Sequence, residues 1–292
     1  MRLLLKFNLI LILVFGSSVA LAGYFSHRFL ERSARSQVLE QARLMMGAAG
    51  GMRTYTSEQV GPLLNGQRSN GFLPQVVPAY SAAEVFTYLR TTYPDYSYKE
   101  ASLNPTNVRD RAADWEADVI QIFRDHPQKQ EFSAERETPA GRVLFLAKPL
   151  FVDMSCLQCH STPDKAPPAM VKIYGADHGF GWNVGEAIAV QLVSVPMAIP
   201  LKIADQAFKG LMLSLGGISL LTLIVLDLAV VLVVIRPVTR LSRTADRIST
   251  GDLNVPEIPV TGSDEIADLA RSFNRMYVSL VKAIRMLGSQ SE

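Results

Sequence analysis

The sequence predicts an α+β domain between two membrane-spanning helices, followed by a helical coiled coil. Two long apolar runs, at about 7–24 and 211–235, mark the spans, and each is long enough to cross a bilayer as a helix. Between them, runs of β-branched and large apolar residues at 142–147 and 187–195 predict strands. After the second span, apolar residues repeat with heptad spacing, which predicts helices that bury one stripe against a partner.

Composition and the two spans restrict the class of protein. The chain has 292 residues and a net charge of +2, which is enough length for about two small domains and no indication of nucleic-acid binding. The first run contains Ala20-Leu21-Ala22, a pattern typical of signal-peptide cleavage. The apolar and helical pattern continues past these residues, which favours an uncleaved anchor. Asp227 is the one charge in the second span. Pairing across a dimer, a hinge and a passive protonated group are all open for it, and we favour the passive group.

Both cysteines of the chain lie in one motif, Cys156-Leu157-Gln158-Cys159-His160. The C-x-x-C-H spacing is typical of c-type haem attachment, in which each thiol forms a thioether with a haem vinyl group and the histidine binds the iron. A thioredoxin-type redox pair does not require the histidine, and a structural zinc site needs a fourth ligand. We therefore predict one covalent haem c, with His160 as the proximal iron ligand.

The motif also predicts the topology. Haem is attached to such motifs outside the cytoplasm, so residues 26–208 are expected on the periplasmic side of a bacterial inner membrane. Four arginines after the second span agree with the excess of positive charge on the cytoplasmic side. They are Arg236, Arg240, Arg243 and Arg247. Helical patterns at about 25–56, 82–91 and 110–124 predict helices packed on an antiparallel sheet, with the haem motif in a proline-rich loop between the two strands.

The segment 236–287 has specific motifs in addition to its heptads. They are Arg236-Pro237, Gly251-Asp252-Leu253, Asp264-Glu265-Ile266 and Ser272-Phe273-Asn274-Arg275-Met276. With these motifs the segment resembles a HAMP domain. The resemblance implies a parallel four-helix bundle, formed by a homodimer, that relays movement of transmembrane helices to an output module.

Short motifs spread through 53–197 carry a second resemblance. They are Arg53-Thr54-Tyr55-Thr56, Leu103-Asn104-Pro105-Thr106-Asn107, Ala147-Lys148-Pro149-Leu150, Cys156 to His160, Tyr174-Gly175, Gly179-Phe180-Gly181-Trp182 and Val195-Pro196-Met197. In this order they resemble the haem-binding sensor domain known as DUF3365, which is similar to the Tll0287-like family. The resemblance implies a PAS-like fold and a haem bound by the C-x-x-C-H motif.

The resemblance does not supply the distal haem ligand. Some members of the family place a cysteine before a proline on the distal side, where this chain has Gly61-Pro62 and no spare cysteine. The position is either open to NO, CO or O₂ or filled by another residue. The candidates are Met45, Met46, Met52, His126 and His178. By family position, the candidates for contacts with the haem propionates are Arg53, Tyr55, Lys148, Lys172 and Tyr174.

These observations divide the chain into a first transmembrane helix (1–25), a periplasmic haem domain (26–208), a second transmembrane helix (209–235) and a HAMP domain (236–287). We expect a membrane-bound sensor that detects redox state or a diatomic gas. It would relay the signal through HAMP to a separate cytoplasmic partner, because no kinase or cyclase segment follows the bundle. The alternative is a membrane-anchored c-type cytochrome for electron transfer. No acid–base constellation indicates an enzyme.

Overall fold

The computed structural model describes residues 2–65 and 72–289. They form two compact units. The first unit is Ser26–Phe208, and the second combines the described parts of 1–25 and 209–292. Pro62, Asn65-Gly66, Pro74 and Pro78 predict a turn-rich segment, which lies partly outside the described residues.

The first unit is built on a four-stranded antiparallel sheet with the order β1-β4-β3-β2. The strands are β1 (Ser97–Ser102), β2 (Phe132–Thr138), β3 (Gly141–Phe151) and β4 (Ala187–Pro196). The two central strands, β3 and β4, are the two that the apolar runs predicted, and they pair in continuous register from Val143–Pro196 to Leu150–Ala189. The two edge strands were not predicted.

Helices cover both faces of this sheet. Alternate residues of a strand point to opposite faces, and β3 shows the pattern: Leu144 and Leu146 share a buried cluster with residues of α1 (Arg2–Tyr55). Phe145 and Ala147 belong to a second buried cluster. That cluster includes residues of α4 (Asp114–Asp125). This layered arrangement confirms the α+β prediction.

Four further α-helices lie among the described residues of the first unit. They are α2 (Gly61–Asn65), α3 (Pro78–Thr92), α5 (Leu157–His160) and α6 (Pro168–Tyr174). Helix α1 continues through Gly50-Gly51, although glycine has a low helix propensity, and passes into a five-residue π-helical turn at Thr56–Val60. π-Helical turns are rare and are often found at functional sites.

The second unit is helical. Helix α7 (Ala198–Val230) begins in the first unit and leads through a π-helical turn at Val231–Ile235 into α8 (Arg236–Ser249), and α9 (Glu265–Ser289) follows a connector. The helical stretches Leu4–Leu64 and Ala198–Ser249 are long and apolar enough to cross a membrane, by length and composition.

Val255, Ile258 and Pro259 predict an extended connector that packs apolar side chains over the helices, and the connector between α8 and α9 does pack on α9. Val255 is buried, and the Tyr277 hydroxyl donates to the carbonyl oxygens of Leu253 (2.6 Å) and Val255 (3.1 Å). The Asn274 side chain accepts from the Ile258 N–H and donates to the Ile258 carbonyl oxygen. Elsewhere in this unit, the Oδ1 atom of Asp227 is buried and has no hydrogen-bond partner among the described residues.

Candidate cofactor site

A cavity of about 1420 Å³ lies beside the sheet of the first unit. Ordinary small-molecule pockets occupy about 300–1000 Å³, so this one is large enough for a macrocycle. Its lining comes mainly from two stretches of chain. We call the lining residues of 153–182 the loop wall, and the lining residues of 53–110 the helix wall.

The loop wall contains the whole C-x-x-C-H motif. Cys156 and Cys159 are half-buried, are not joined in a disulfide, and both line the cavity. The chain makes one helical turn here, since the N–H groups of Cys159 and His160 both donate to the Cys156 carbonyl oxygen (3.2 and 3.0 Å). A spacing of three along a helix places side chains on the same face, so this turn presents both thiols together.

Asp153 fixes the beginning of this turn. Its Oδ1 accepts from the backbone N–H of Ser155 (2.7 Å) and of Cys156 (3.2 Å). It also accepts from the Ser155 hydroxyl. These hydrogen bonds, the Ser155 hydroxyl first, hold the pKa of the Asp153 carboxyl below its usual value. The carboxylate therefore stays ionised and caps the turn that carries the thiols.

His160 is held by three neighbours. Its ring stacks on Trp182 with centroids 3.8 Å apart and planes 9° apart. Its Nδ1 lies 2.8 Å from the Gly179 carbonyl oxygen and 3.3 Å from the Thr106 hydroxyl. The tautomer with hydrogen on Nδ1 satisfies that carbonyl and leaves Nε2 as the free acceptor, which is the usual arrangement of a metal-binding histidine. Burial lowers the pKa of the imidazole, partly opposed by the Gly179 hydrogen bond, which favours the neutral form that metals require.

Gly179 joins the two walls. Its φ is +81°, and a Cβ at this position would overlap Thr106, so the close approach requires a glycine. The Gly179 N–H donates to Asn104 Oδ1 (2.9 Å), and Asn104 Nδ2 donates to the Phe180 carbonyl oxygen (3.1 Å). The motifs around Asn104 and Gly179 were quoted for the family resemblance, but their contact with each other was not predicted. It fixes the carbonyl that orients His160.

The helix wall contains a partly buried ion pair. Arg53 Nη1 lies 2.5 and 2.6 Å from the two carboxylate oxygens of Glu100, and both residues line the cavity. The Tyr98 hydroxyl donates to Glu100 Oε1 (2.6 Å) and accepts from Gln191 Nε2 (2.9 Å). Burial, and then the neighbouring Glu100, raises the pKa of Tyr98, so its hydroxyl remains a donor. Only Arg53 of this group was selected from the sequence.

A second charged group on the helix wall lies at residues 109–110. Arg109 pairs with Glu84 (2.7 Å), and its Nε lies 3.6 Å from Asp110 Oδ1. Burial raises the pKa of Asp110 to about 6, although Arg109 opposes the shift. No sequence pattern identified Asp110, because its partial burial depends on the tertiary structure.

The cavity includes some of the predicted contact residues and none of the predicted distal ligands. Arg53 and Tyr174 line it; Tyr55, Lys148 and Lys172 do not. Gly61 and Pro62, at the position of the family's distal cysteine, also line it.

The five distal candidates lie elsewhere. Met46 is buried in the cluster between α1 and the sheet, and Met45 and Met52 pack against that cluster. Nδ1 of His126 lies 3.1 Å from the Ile122 carbonyl oxygen, and Nε2 of His178 lies 3.5 Å from Nη2 of Arg111. Sequence reasoning missed Met170, which is buried and lines the cavity.

The donor set of the cavity fits a covalently attached haem. Two thiols and one imidazole with a free Nε2 lie on one wall of a cavity of suitable size. Among the described residues, no group of three or more His, Cys, Asp and Glu could hold a metal ion.

The arrangement of the chain defines a class of protein: apolar helices flank an α+β domain with a large cavity, and a HAMP segment follows, which fits a membrane signal transducer. The chain belongs to the Tll0287-like family. The family model, described as Tll0287, matches residues 31–196, and the model for the HAMP domain matches 229–282. Both predicted resemblances are confirmed, and the family match supports haem binding.

The chain is also similar to parts of two curated proteins. It is 27% identical over 107 residues to methyl-accepting chemotaxis protein CtpM of Pseudomonas aeruginosa, covering 36% of this chain and 19% of that protein. It is 39% identical over 82 residues to sensor histidine kinase MtrB of Mycolicibacterium paratuberculosis, covering 28% of this chain and 14% of that protein. The chain therefore matches less than a fifth of the length of each.

The chain also has a similarity to a solved structure. It is the crystal structure of the cyanobacterial heme-protein Tll0287, with 16% sequence identity and a TM-score of 0.37. The match covers 57% of this chain and 94% of that chain.

Proposed function

We propose that the chain is a membrane-bound haem sensor that detects redox state or a diatomic gas in the periplasm. The observation that carries this proposal is the loop wall, where two cysteine side chains and an oriented imidazole line one large cavity. A haem bound there supplies a one-electron redox centre and an iron that binds diatomic gases. The residues of the chain attach it, orient it and connect it to the helices that cross the membrane.

The loop wall has the residues for attachment. Cys156 and Cys159 would form the two thioethers, and His160 would bind the iron through Nε2. The Gly179 carbonyl oxygen and the Trp182 ring hold the imidazole plane. Neighbouring groups that orient a metal ligand commonly affect metal affinity or activity by about 10–100-fold.

The distal side favours gas access. In the described part of the chain, the five distal candidates lie away from the cavity, whereas Gly61 and Pro62 line it. Gly61 has no donor side chain, and a proline has none either. A free sixth position would admit NO, CO or O₂. Met170 is the alternative, because it is the one methionine among the described lining residues.

The relay would pass through the membrane to HAMP. The proposed topology is a periplasmic haem domain, two membrane spans and a cytoplasmic HAMP domain. HAMP would form a homodimer and act on a separate cytoplasmic signalling partner, and this chain would not itself be an enzyme. Supporting this are the two apolar helices, the HAMP match and the names of the two curated relatives, a chemotaxis protein and a sensor kinase.

Two measurements on the haem-loaded full chain in lipid nanodiscs test the proposal. Ferrous protein exposed to CO should show the absorption change of a CO complex at once if the sixth position is free, and slowly or not at all if Met170 occupies it. Disulfide cross-linking of the dimer through Leu280→Cys in α9 should differ between the ferric, ferrous and gas-bound states. Cross-linking that is identical in all states would contradict a sensor and support the electron-transfer cytochrome instead.

A further inference from the structure

The ion pair on the helix wall joins the parts of the first unit that lead to the two spans. Arg53 lies at the end of α1, the helix that begins at Arg2. Its partner Glu100 is on β1 and lies opposite Gln191 of β4. After β4, the chain reaches Ala198, the first residue of α7, across one residue. Arg53, Glu100, Tyr98 and Gln191 therefore form one hydrogen-bonded chain from the first helix to the strand that precedes the second.

This pair differs from other ion pairs that connect α1 to the rest of the unit. Arg35 pairs with Glu135 and Arg43 with Glu131, but the two arginine side chains are 61% and 44% exposed. The Glu100 side chain is 9% exposed and that of Arg53 27%. Interactions between charges are strong where water is excluded and weak at the surface. A change of charge in the cavity would therefore affect Arg53 and Glu100 much more than the exposed pairs.

We propose that Arg53 and Glu100 are the positioning residues that convert a change of charge in the cavity into movement of the end of α1. This inference rests on the proposed function and selects redox state, rather than a neutral gas, as the signal. Reduction from Fe(III) to Fe(II) adds one electron, breaks no bond, and takes the electron from an external one-electron donor. The added negative charge attracts the guanidinium towards the cavity and repels the carboxylate. Reduction therefore loosens the pair and the helical turn that carries Arg53.

The local structure favours this response. Directly after Tyr55 the chain forms the π-helical turn Thr56–Val60, and Ser57 and Gly61 line the same cavity as Arg53. On the sheet side of the ion pair, the Tyr98 ring stacks on Phe86 (centroids 4.9 Å apart). This contact holds Tyr98, which donates a hydrogen bond to Glu100. Movement is thus expected at the α1 end rather than at the sheet.

Hydrogen exchange of the haem-loaded full chain in nanodiscs tests the inference. Dithionite serves as the electron donor, and the backbone amides of 54–60 should exchange faster in the ferrous than in the ferric protein. Adding CO, a neutral ligand, to the ferrous protein should cause no further change. The ferrous–ferric difference should disappear in Arg53→Gln and persist in Arg35→Gln, the matched control on the same helix. A difference that is absent from the wild type, or that persists in Arg53→Gln, overturns the inference.

Redox titration separates an electrostatic role from a merely structural one. Glu100→Gln removes a negative charge from the cavity wall and should shift the midpoint potential upwards; Arg53→Gln removes a positive charge and should shift it downwards. Shifts of the same sign overturn the inference. If Arg53→Gln does not yield haem-loaded protein, Arg53→Lys, which keeps the charge, should retain an exchange difference of the same sign. State-dependent HAMP cross-linking with unchanged exchange at 54–60 refutes this inference alone, whereas no state-dependent cross-linking refutes the proposed function.

Discussion

The loop wall and the helix wall of the cavity are built in different ways. The loop wall takes its reactive groups from five consecutive residues, 156–160, arranged by one helical turn. The helix wall combines residues from α1, from β1 and from the segment after β1, so Arg53 meets Glu100 across 47 positions of sequence. The first wall contains groups that can form bonds to a cofactor, and the second contains charges that can respond to it. In this domain, the reactive residues are close together in the sequence, whereas the charged residues that interact with each other are far apart in it.

The largest effect expected is on the loop wall itself. The double change Cys156→Ala with Cys159→Ala should abolish covalent haem, because no other thiol exists in the chain. The measurement is haem staining of the denatured protein after electrophoresis. Cys156→Ala alone, as the control, should retain a weaker stain through the remaining thioether. Full staining of the double variant would remove the basis of the site.

The contact between the two walls should be the next most sensitive point. Gly179→Ala places a Cβ at φ +81° and against Thr106, which we expect to cost about 2–3 kcal/mol of stability through backbone strain and overpacking. It should also disturb the carbonyl that orients His160. Gly185→Ala is the matched control, because its φ is +85° but nothing lies within 4 Å of the added Cβ. Equal losses of thermal stability in both variants would show that the contact with Thr106 is unimportant.

A smaller, pH-dependent effect is expected from Asp110 on the helix wall. Its pKa is raised from 3.8 to about 6 in the folded protein, so the folded state binds this proton more tightly than the unfolded state. The contribution of Asp110 to stability is therefore present below about pH 4 and is lost as pH rises through 6. Asp110→Asn should remove this loss.

With allowance for partial exposure, the Asp110 effect amounts to about 1 kcal/mol at pH 7, or about 2–4 °C in thermal midpoint. Thermal unfolding of the full chain at pH 4, 5, 6 and 7 measures it. The thermal midpoint of the wild type should decrease relative to that of Asp110→Asn as the pH rises from 4 to 6. The difference between the two midpoints should stay constant above pH 6. A difference in thermal midpoint that is the same at all four pH values would contradict a titrating Asp110.

The smallest effect should come from a pair outside both walls. Arg35→Gln breaks the exposed pair with Glu135 and should change stability by less than about 0.5 kcal/mol. The haem spectrum should be unchanged as well. If Arg35→Gln lowered the stability as much as Arg53→Gln in the same unfolding experiment, the exposed and the partly buried ion pairs of α1 would contribute equally.

The sheet shows which structural elements were visible in the sequence. β3 and β4 were predicted because the central strands of a sheet covered on both faces are continuously apolar. β1 (Ser97–Ser102) and β2 (Phe132–Thr138) were missed because edge strands carry charged residues, and here these include Lys99, Glu100 and Glu135. Their strand conformation comes from pairing with β4 and β3 rather than from their own composition.

The candidate distal ligands show what a local pattern leaves open. Met45, Met46 and Met52 were selected because a thioether can bind haem iron, but helical periodicity places a methionine as readily in a core as in a site. In the structure, Met46 is buried in the core cluster that contains Leu144 and Leu146, and Met45 and Met52 pack against this cluster. Met170 was passed over, although it is the methionine that tertiary structure brings to the cavity.

By itself, the sequence determined the two apolar spans, the heptad helices and the attachment motif, because each of these depends on spacing within a short stretch of chain. The tertiary structure alone decided which carbonyl orients His160, which charges line the cavity and which predicted residues lie away from it. Those features depend on burial and on contacts between distant residues. Burial also gives the Arg53–Glu100 pair its proposed sensitivity to charge, and no local pattern in the sequence records burial of a charged residue.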